Sequence, residues 1–161
     1  MLEQVTLFKQ RRNKMITNEK TKATGMVNIV VSDSNGKVKQ EVTVPNLVVT
    51  TGLNFIASRM EGTDADIMSH MAVGTDDTAA AVSDTALLNE EARVSLDSGE
   101  ATGNDMVYTA TYPAGTGTAS LTEAGIFNDA TAGTMLCRTV FAVINKGAAD
   151  SMTVTWTITI S

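Results

Sequence analysis

The eleven residues from Ser151 to Ser161 alternate polar and apolar without exception. Successive side chains of a strand point to opposite faces, so Met152, Val154, Trp156, Ile158 and Ile160 share one face and the threonines share the other. A segment of this kind needs a sheet with one covered face. The rest of the chain is consistent with that demand. Threonine, valine and isoleucine, which suit pleated and half-buried surfaces, recur throughout.

Further strands are expected over Met26–Val31 and Val38–Val44, joined by Asp33-Ser34-Asn35-Gly36, whose Asn-Gly pair suits a tight hairpin. Pro45 closes the second, because proline cannot donate to a central ladder. Short strands are also expected over Met68–Val73, Arg93–Asp97, Met106–Tyr112, Leu121–Asn128 and Thr134–Ile144. Ser98-Gly99 through Gly103 is read as a turn, as are the small residues 114–118 after Pro113. Asn145-Lys146-Gly147 is expected to turn Thr134–Ile144 directly into the terminal strand.

One helix interrupts the series near residues 51–61. Leu53, Ile56, Ala57 and Met60 have the i, i+3, i+4, i+7 spacing of one helix face, with Thr50 or Thr51 as N-cap and Gly62 as stop. A second helical turn is expected at Asp84–Glu91, with Asp84 capping the Leu87-Leu88 pair. Seven or eight strands with glycine-containing turns predict a mainly β protein, an antiparallel β-sandwich with the jelly roll among its variants. Threonine-rich edges that charge does not blunt invite pairing between subunits.

The chain of 161 residues carries a net charge of −6, unevenly distributed. Residues 1–22 sum to +4 and the remainder to −10. The division is an N-terminal arm over residues 1–24, basic through Lys9, Arg11, Arg12 and Lys14, and a sandwich domain over 25–161. Such an arm suits an acidic neighbouring subunit, while the acidic body repels nucleic acid. The plainer reading is a solvated terminus, against which Leu2, Val5, Leu7 and Phe8 argue for packing. No apolar run approaches the roughly 20 residues that cross a bilayer. The stretch from Met1 to Asn13 lacks a signal-peptide core, so synthesis in the cytoplasm is expected.

Catalytic chemistry is hard to find. His70 has no nucleophile-elbow motif beside it, and a partly buried, hydrogen-bonded histidine is the simpler expectation. One histidine and one cysteine, Cys137, make only half a tetrahedral zinc site and no internal disulfide. Asp64 with Asp66, and the Asp76-Asp77 pair, offer hard oxygens that suit calcium, but without EF-hand spacing they read first as solvated acids. Gly115-Thr116-Gly117 lacks a P-loop lysine. Glu90-Glu91 with Arg93 reads as a weak surface pair, and Cys137 and Trp156 as core. Arg138, on the face opposite Cys137, is placed to pair with an acid across the sheet. Neither an enzyme nor a cofactor is indicated.

The block Leu121-Thr122-Glu123-Ala124-Gly125-Ile126-Phe127-Asn128, followed by Gly133-Thr134-Met135-Leu136-Cys137-Arg138, resembles a hairpin of tailed-bacteriophage virion proteins, notably tail-fibre proteins. Residues 44–57 and 71–75 resemble other blocks of such proteins, and the similarity covers about residues 25–161. It implies a non-enzymatic virion component made in the bacterial host, a homo-oligomer contacting major capsid or tail proteins, with no membrane. Within the motif, Gly125 would permit close approach or a bulge, Asn128 and Gly133 would shape the turn, and Glu123 would face either a backbone or Arg138 partner or solvent. The acidic body and basic arm suit a head decoration or cement protein, whereas the hairpin suits a tail fibre or adaptor. A carbohydrate-binding module is the competing class, disfavoured by the scarcity of aromatic residues, which are 4% of the chain.

Overall fold

The computed structural model describes residues 20–62 and 66–161. Among them, two five-stranded antiparallel sheets stack as a sandwich with a single short helix. The first sheet has the order β2 (Val38–Pro45), β1 (Ala23–Ser32), β10 (Ser151–Ile160), β7 (Asp105–Tyr112) and β6 (Ser98–Thr102). The second runs β3 (Leu47–Val48), β9 (Met135–Asn145), β8 (Ser120–Phe127), β4 (His70–Gly74) and β5 (Glu90–Ser95). Consecutive strands pair as hairpins within a sheet (β1 with β2, β4 with β5, β6 with β7, β8 with β9) before the chain crosses over. β1 starts at Ala23, two residues inside the stretch that the sequence assigns to the arm.

β10 lies at the centre of the first sheet, and its alternation is realised as expected. Met152, Val154, Trp156 and Ile158 are buried against the other sheet, and Thr153 faces outward. Its partners, however, are β1 and β7, not β9. The Asn145-Lys146-Gly147 turn makes a crossover between sheets instead of a hairpin. Lys146 is 2% exposed, and its ammonium donates to the carbonyls of Pro113 at 2.9 Å and Asp150 at 2.7 Å. The Asp150 carboxylate in turn accepts from Gly147 N–H at 2.8 Å and from Lys39 of β2 at 2.6 Å. Those bonds fix the corner and direct the chain to the opposite layer.

Tyr108, Ala110 and Tyr112 of β7 turn inward, as their spacing predicts. The Tyr112 hydroxyl donates to the Met71 carbonyl of β4 at 2.7 Å and so ties the two sheets together inside the core. Burial pushes the Tyr112 phenol well above its ordinary pKa, which keeps it a donor. In the Asp33–Lys37 hairpin only Gly36 takes a positive φ, 80°. The Asp33 carboxylate caps that turn by accepting from Asn35 and Lys37 N–H. The connection is longer than a two-residue turn, and the register shifts beside it at Val31/Ser32.

Helix α1 (Thr50–Glu61) stops at Gly62, whose φ is 72°, as expected. Its start differs. Val49 is the N-cap residue, without a side-chain cap bond, while Thr51 donates to the Met135 carbonyl at 2.9 Å. The buried face is also rotated by one residue. Leu53 is 49% and Met60 90% exposed, whereas Gly52 is buried and Phe55 and Ile56 pack on the core. Gly52 sets that phase: a Cβ there would overlap the backbone of Leu136 in β9, so only glycine lets the helix lie on the strand.

Two further expectations fail. Residues 84–89 form a loop with no helical turn, and Glu90 already belongs to β5. Ser98–Thr102, read as a turn, is the exposed edge strand β6. Its five residues bury nothing, so no apolar alternation reveals it.

Candidate functional site

The outer face of the second sheet presents Glu123, Gly125 and Phe127 from β8, with Arg138 from β9 paired opposite Gly125. Glu123 and Arg138 are both 0% exposed. The Arg138 Nε donates to Glu123 Oε2 at 3.0 Å, and Nη2 stands 2.9 Å from the same oxygen. On its other side Nη1 donates to Asp84 Oδ2 at 3.0 Å, and Nη2 is 3.9 Å from Asp76 Oδ1. Glu123 therefore takes both of the partners the sequence offered it. Besides the guanidinium, it accepts N–H bonds from Asn89 at 2.8 Å and Leu88 at 3.2 Å.

This cluster folds the long connection after β4, residues 75–89, onto the sheet. Asp84 acts as its anchor, not as a helix cap: its carboxylate accepts from Ala81 N–H at 2.9 Å while meeting Arg138. Hydrogen bonds from Thr78, and then the Arg138 charge, hold the Asp76 carboxyl below its ordinary pKa. Gly74 is required beside the cluster, because a Cβ there would collide with the Glu123 carboxylate and the Asn89 carbonyl. Gly125 serves a similar purpose, since the Leu87 side chain of the loop closes directly over it. The register irregularities of β8 fall on either side, at Leu121/Glu123 and Ile126/Phe127.

Phe127 carries a second clamp. The Arg93 guanidinium lies 3.8 Å from the Phe127 ring centroid and grips Glu90 through two bonds of 3.0 and 2.6 Å. Its Nη1 donates to the carbonyls of Asp129 and Ala132 in the β8–β9 turn. With its side chain 9% exposed, Arg93 is not the weak surface partner expected of it. Within that turn Asn128 Oδ1 accepts from Thr134 N–H at 2.6 Å, and Gly133 has φ 75°.

The other sequence candidates stand apart from this face or are used structurally. His70 is half-buried, with Nδ1 2.8 Å from Ser69 Oγ and Nε2 3.4 Å from Ser95 Oγ. Cys137 is buried, which raises its thiol pKa well above the ordinary value. Asp66 is exposed, Asp64 lies outside the described residues, and the described residues contain no group of three His, Cys, Asp or Glu side chains arranged to hold a metal. Lys9, Arg11, Arg12 and Lys14 also lie outside the described residues.

Chemically, the cluster is a staple. Every carboxylate in it is engaged by a guanidinium or by backbone N–H groups, and its central pair has no exposed surface for a substrate. Sequence reasoning found Glu123 and Arg138, gave Asp84, Asp76 and Arg93 other roles, and missed the bonding of the Lys146–Asp150 corner. Charged residues flanked by long β segments were the available signal for Lys146 and Asp150. Against known proteins, the chain matches no family model, no curated protein and no solved structure. Its function has to be argued from its residues.

Proposed function

We propose that this protein is a non-enzymatic structural component of a tailed-phage virion, favoured as a head decoration or cement protein that assembles through its N-terminal arm and sheet edges. The observation that carries this reading is the use made of the most distinctive block in the sequence. Glu123, Gly125, Phe127 and Arg138 are all spent on clamping connections to a sheet face. A block devoted to rigidity suits a particle component that must keep its shape under load. The edge strand β6, short and exposed, leaves backbone groups open to a neighbouring copy. The arm adds cations to a body of opposite charge, a distribution suited to gripping an acidic lattice.

The β8–β9 hairpin, which carries the fibre-like block, favours the second reading, a tail fibre or adaptor. Gold-labelled antibody against the chain, applied to intact particles, separates the two. Label over the head supports decoration and label on the tail supports the fibre reading. Purified particles that contain no copy of the chain by mass spectrometry would overturn both. A carbohydrate-binding module predicts glycan-array binding, lost on chelation if calcium takes part.

A further inference from the structure

The two sheets end in β2, β6, β3 and β5, and these edges are not equally protected. β2 carries Lys39 and ends at Pro45, and its register with β1 shifts at Val31/Ser32. β5 carries Glu90, Glu91 and Arg93, and its register with β4 shifts at Val73/Gly74. β3 is only two residues long. Charge, proline, bulges and shortness are the usual means of keeping an edge from pairing. β6 has neither lysine, proline nor bulge: Ser98-Gly99-Glu100-Ala101-Thr102 pairs with β7 in unbroken register, and all five residues are exposed. Alternate residues of such a strand direct their N–H and C=O groups away from β7.

A groove lies along the inner side of that edge. Gly99 and Ala101 take the inner face, opposite Tyr108 and Met106, and neither has a side chain larger than a methyl group. Ser98 and Gly99, with Phe55 of α1, Leu96, Met106 and Tyr108, line a cavity of about 590 Å³. A strand laid against β6 sends every second side chain toward this apolar wall. Its other side chains meet the outer face, which is acidic. Glu100 is exposed there, and Asp97 and Asp105, next to β6 in the chain, accept from the Thr111 and Thr159 hydroxyls at 2.7 and 2.6 Å. From Val94 to Cys137 the chain holds no lysine or arginine, so the hairpin that carries these acids carries no base. Arg59, whose guanidinium lies over the Phe55 ring, adds positive charge to the groove wall and disfavours a base on the inner side.

We propose that β6 is a docking edge for an extended segment of another protein, one in which lysine or arginine alternates with aliphatic residues. The segment adds a sixth strand to the first sheet. Main-chain hydrogen bonds to β6 hold it, its aliphatic side chains enter the groove, and its bases face Glu100 on the outer side. The β6 strand of a second copy is the poorer occupant, because the central antiparallel register sets Glu100 against Glu100, and like charges directly opposite are destabilising. Nucleic acid is repelled by the same acids and has no strand to add. The docking uses only the edge and the groove and does not depend on the virion reading, so its failure leaves the placement on a particle to antibody labelling.

Fluorescence anisotropy with the full-length chain and a labelled peptide, Lys-Val-Lys-Leu-Lys-Val-Lys, tests this. Binding should be about tenfold or more tighter than to Lys-Lys-Lys-Lys-Val-Leu-Val, which has the same composition without the alternation. A strand bonds to its neighbour through alternate residues, so N-methylating the odd peptide positions or the even ones should abolish binding in one case and spare it in the other. Glu100→Lys, at an exposed position, should weaken binding several-fold and leave thermal unfolding unchanged. Hydrogen exchange should slow at residues 98–102 when the peptide is bound, and not in Val38–Pro45 or Glu90–Ser95. Equal binding of the two peptides would reduce the edge to its charge and overturn the proposal, as would protection confined to another edge. Absence of binding up to about 1 mM would do the same. Protection of residues 98–102 that grows with protein concentration, without peptide, would give the edge to a second copy instead.

Discussion

Taking the charges of Arg138 and Glu123 out of water costs several kcal/mol for each ion, which their mutual attraction, the Asp84 carboxylate on Arg138 and the Leu88 and Asn89 N–H groups on Glu123 offset, although the buried Arg138 Nη2 makes no hydrogen bond. Removing one partner strands the other. Arg138→Met should destabilise the protein by about 3–5 kcal/mol, measured by urea unfolding. Adding Glu123→Leu should recover part of that loss, because the uncompensated charge is then gone. A cost near zero for Arg138→Met would mean that the 75–89 loop is held by other contacts. Asp150 allows a prediction in pH. The Lys39 hydrogen bond, then the Gly147 N–H and the charges of Lys39 and Lys146, hold its carboxyl below the ordinary range. A carboxyl depressed in the folded state adds stability that is complete above the unfolded value of about 3.9 and is lost as pH falls through the lower folded value. Asp150→Asn should therefore lower the urea midpoint at neutral pH and shrink its fall below pH 4. Asp76, depressed chiefly by Thr78, titrates in the same window and keeps part of the slope.

Helix α1 is positioned by a glycine, not by its largest apolar residues. Gly52, Phe55, Ile56 and Arg59 form the face toward the body, and the backbone of Leu136 touches the helix at Gly52. Gly52→Ala puts a methyl group against backbone that cannot rotate away, so it should cost about 3 kcal/mol, the upper end for overpacking. For a chain of this size that corresponds to a fall in Tm of roughly 6–12 °C, readable by calorimetry. The same helix shows what local pattern carries and what it misses. Its existence and its stop at Gly62 are legible, because 3.6-residue periodicity and a left-handed stop are local properties. Its phase is not, since Leu53 and Met60 look like core residues until the strand beneath is known. β10 divides in the same way. Alternation reveals the strand and its inner face, but its neighbours β1 and β7 come from distant sequence, beyond the reach of a rule favouring the nearest hairpin. The ion cluster follows suit. Glu123 and Arg138 stand out as charges in apolar runs, whereas Asp84 lies 54 residues from Arg138 in a loop whose Leu87-Leu88 pair imitates a helix.

At the scale of the molecule, the residues that stabilise the body and those assigned to assembly are separate. The described body closes its core between two sheets and clamps its long connections with Arg138, Arg93 and Lys146. None of those side chains is available to a neighbour. The cations of the arm sit on a segment of charge +4, ahead of a remainder of −10. That separation makes the assembly reading testable without unfolding the protein. On the assembly reading, replacing Lys9, Arg11, Arg12 and Lys14 with alanine should leave the unfolding free energy within about 0.5 kcal/mol, the range of substitutions that break no buried contact. Incorporation into particles should fall several-fold in a competition with the unaltered chain, quantified by mass spectrometry of purified virions. Raising the salt during assembly should weaken the unaltered chain in the same direction, because the Debye length shrinks from about 10 Å at 0.1 M to about 3 Å at 1 M. The alanine variant should respond less, since the charges that salt screens are already gone. Equal incorporation of the two chains at every salt concentration would take assembly away from the arm and leave it to the sheet edges.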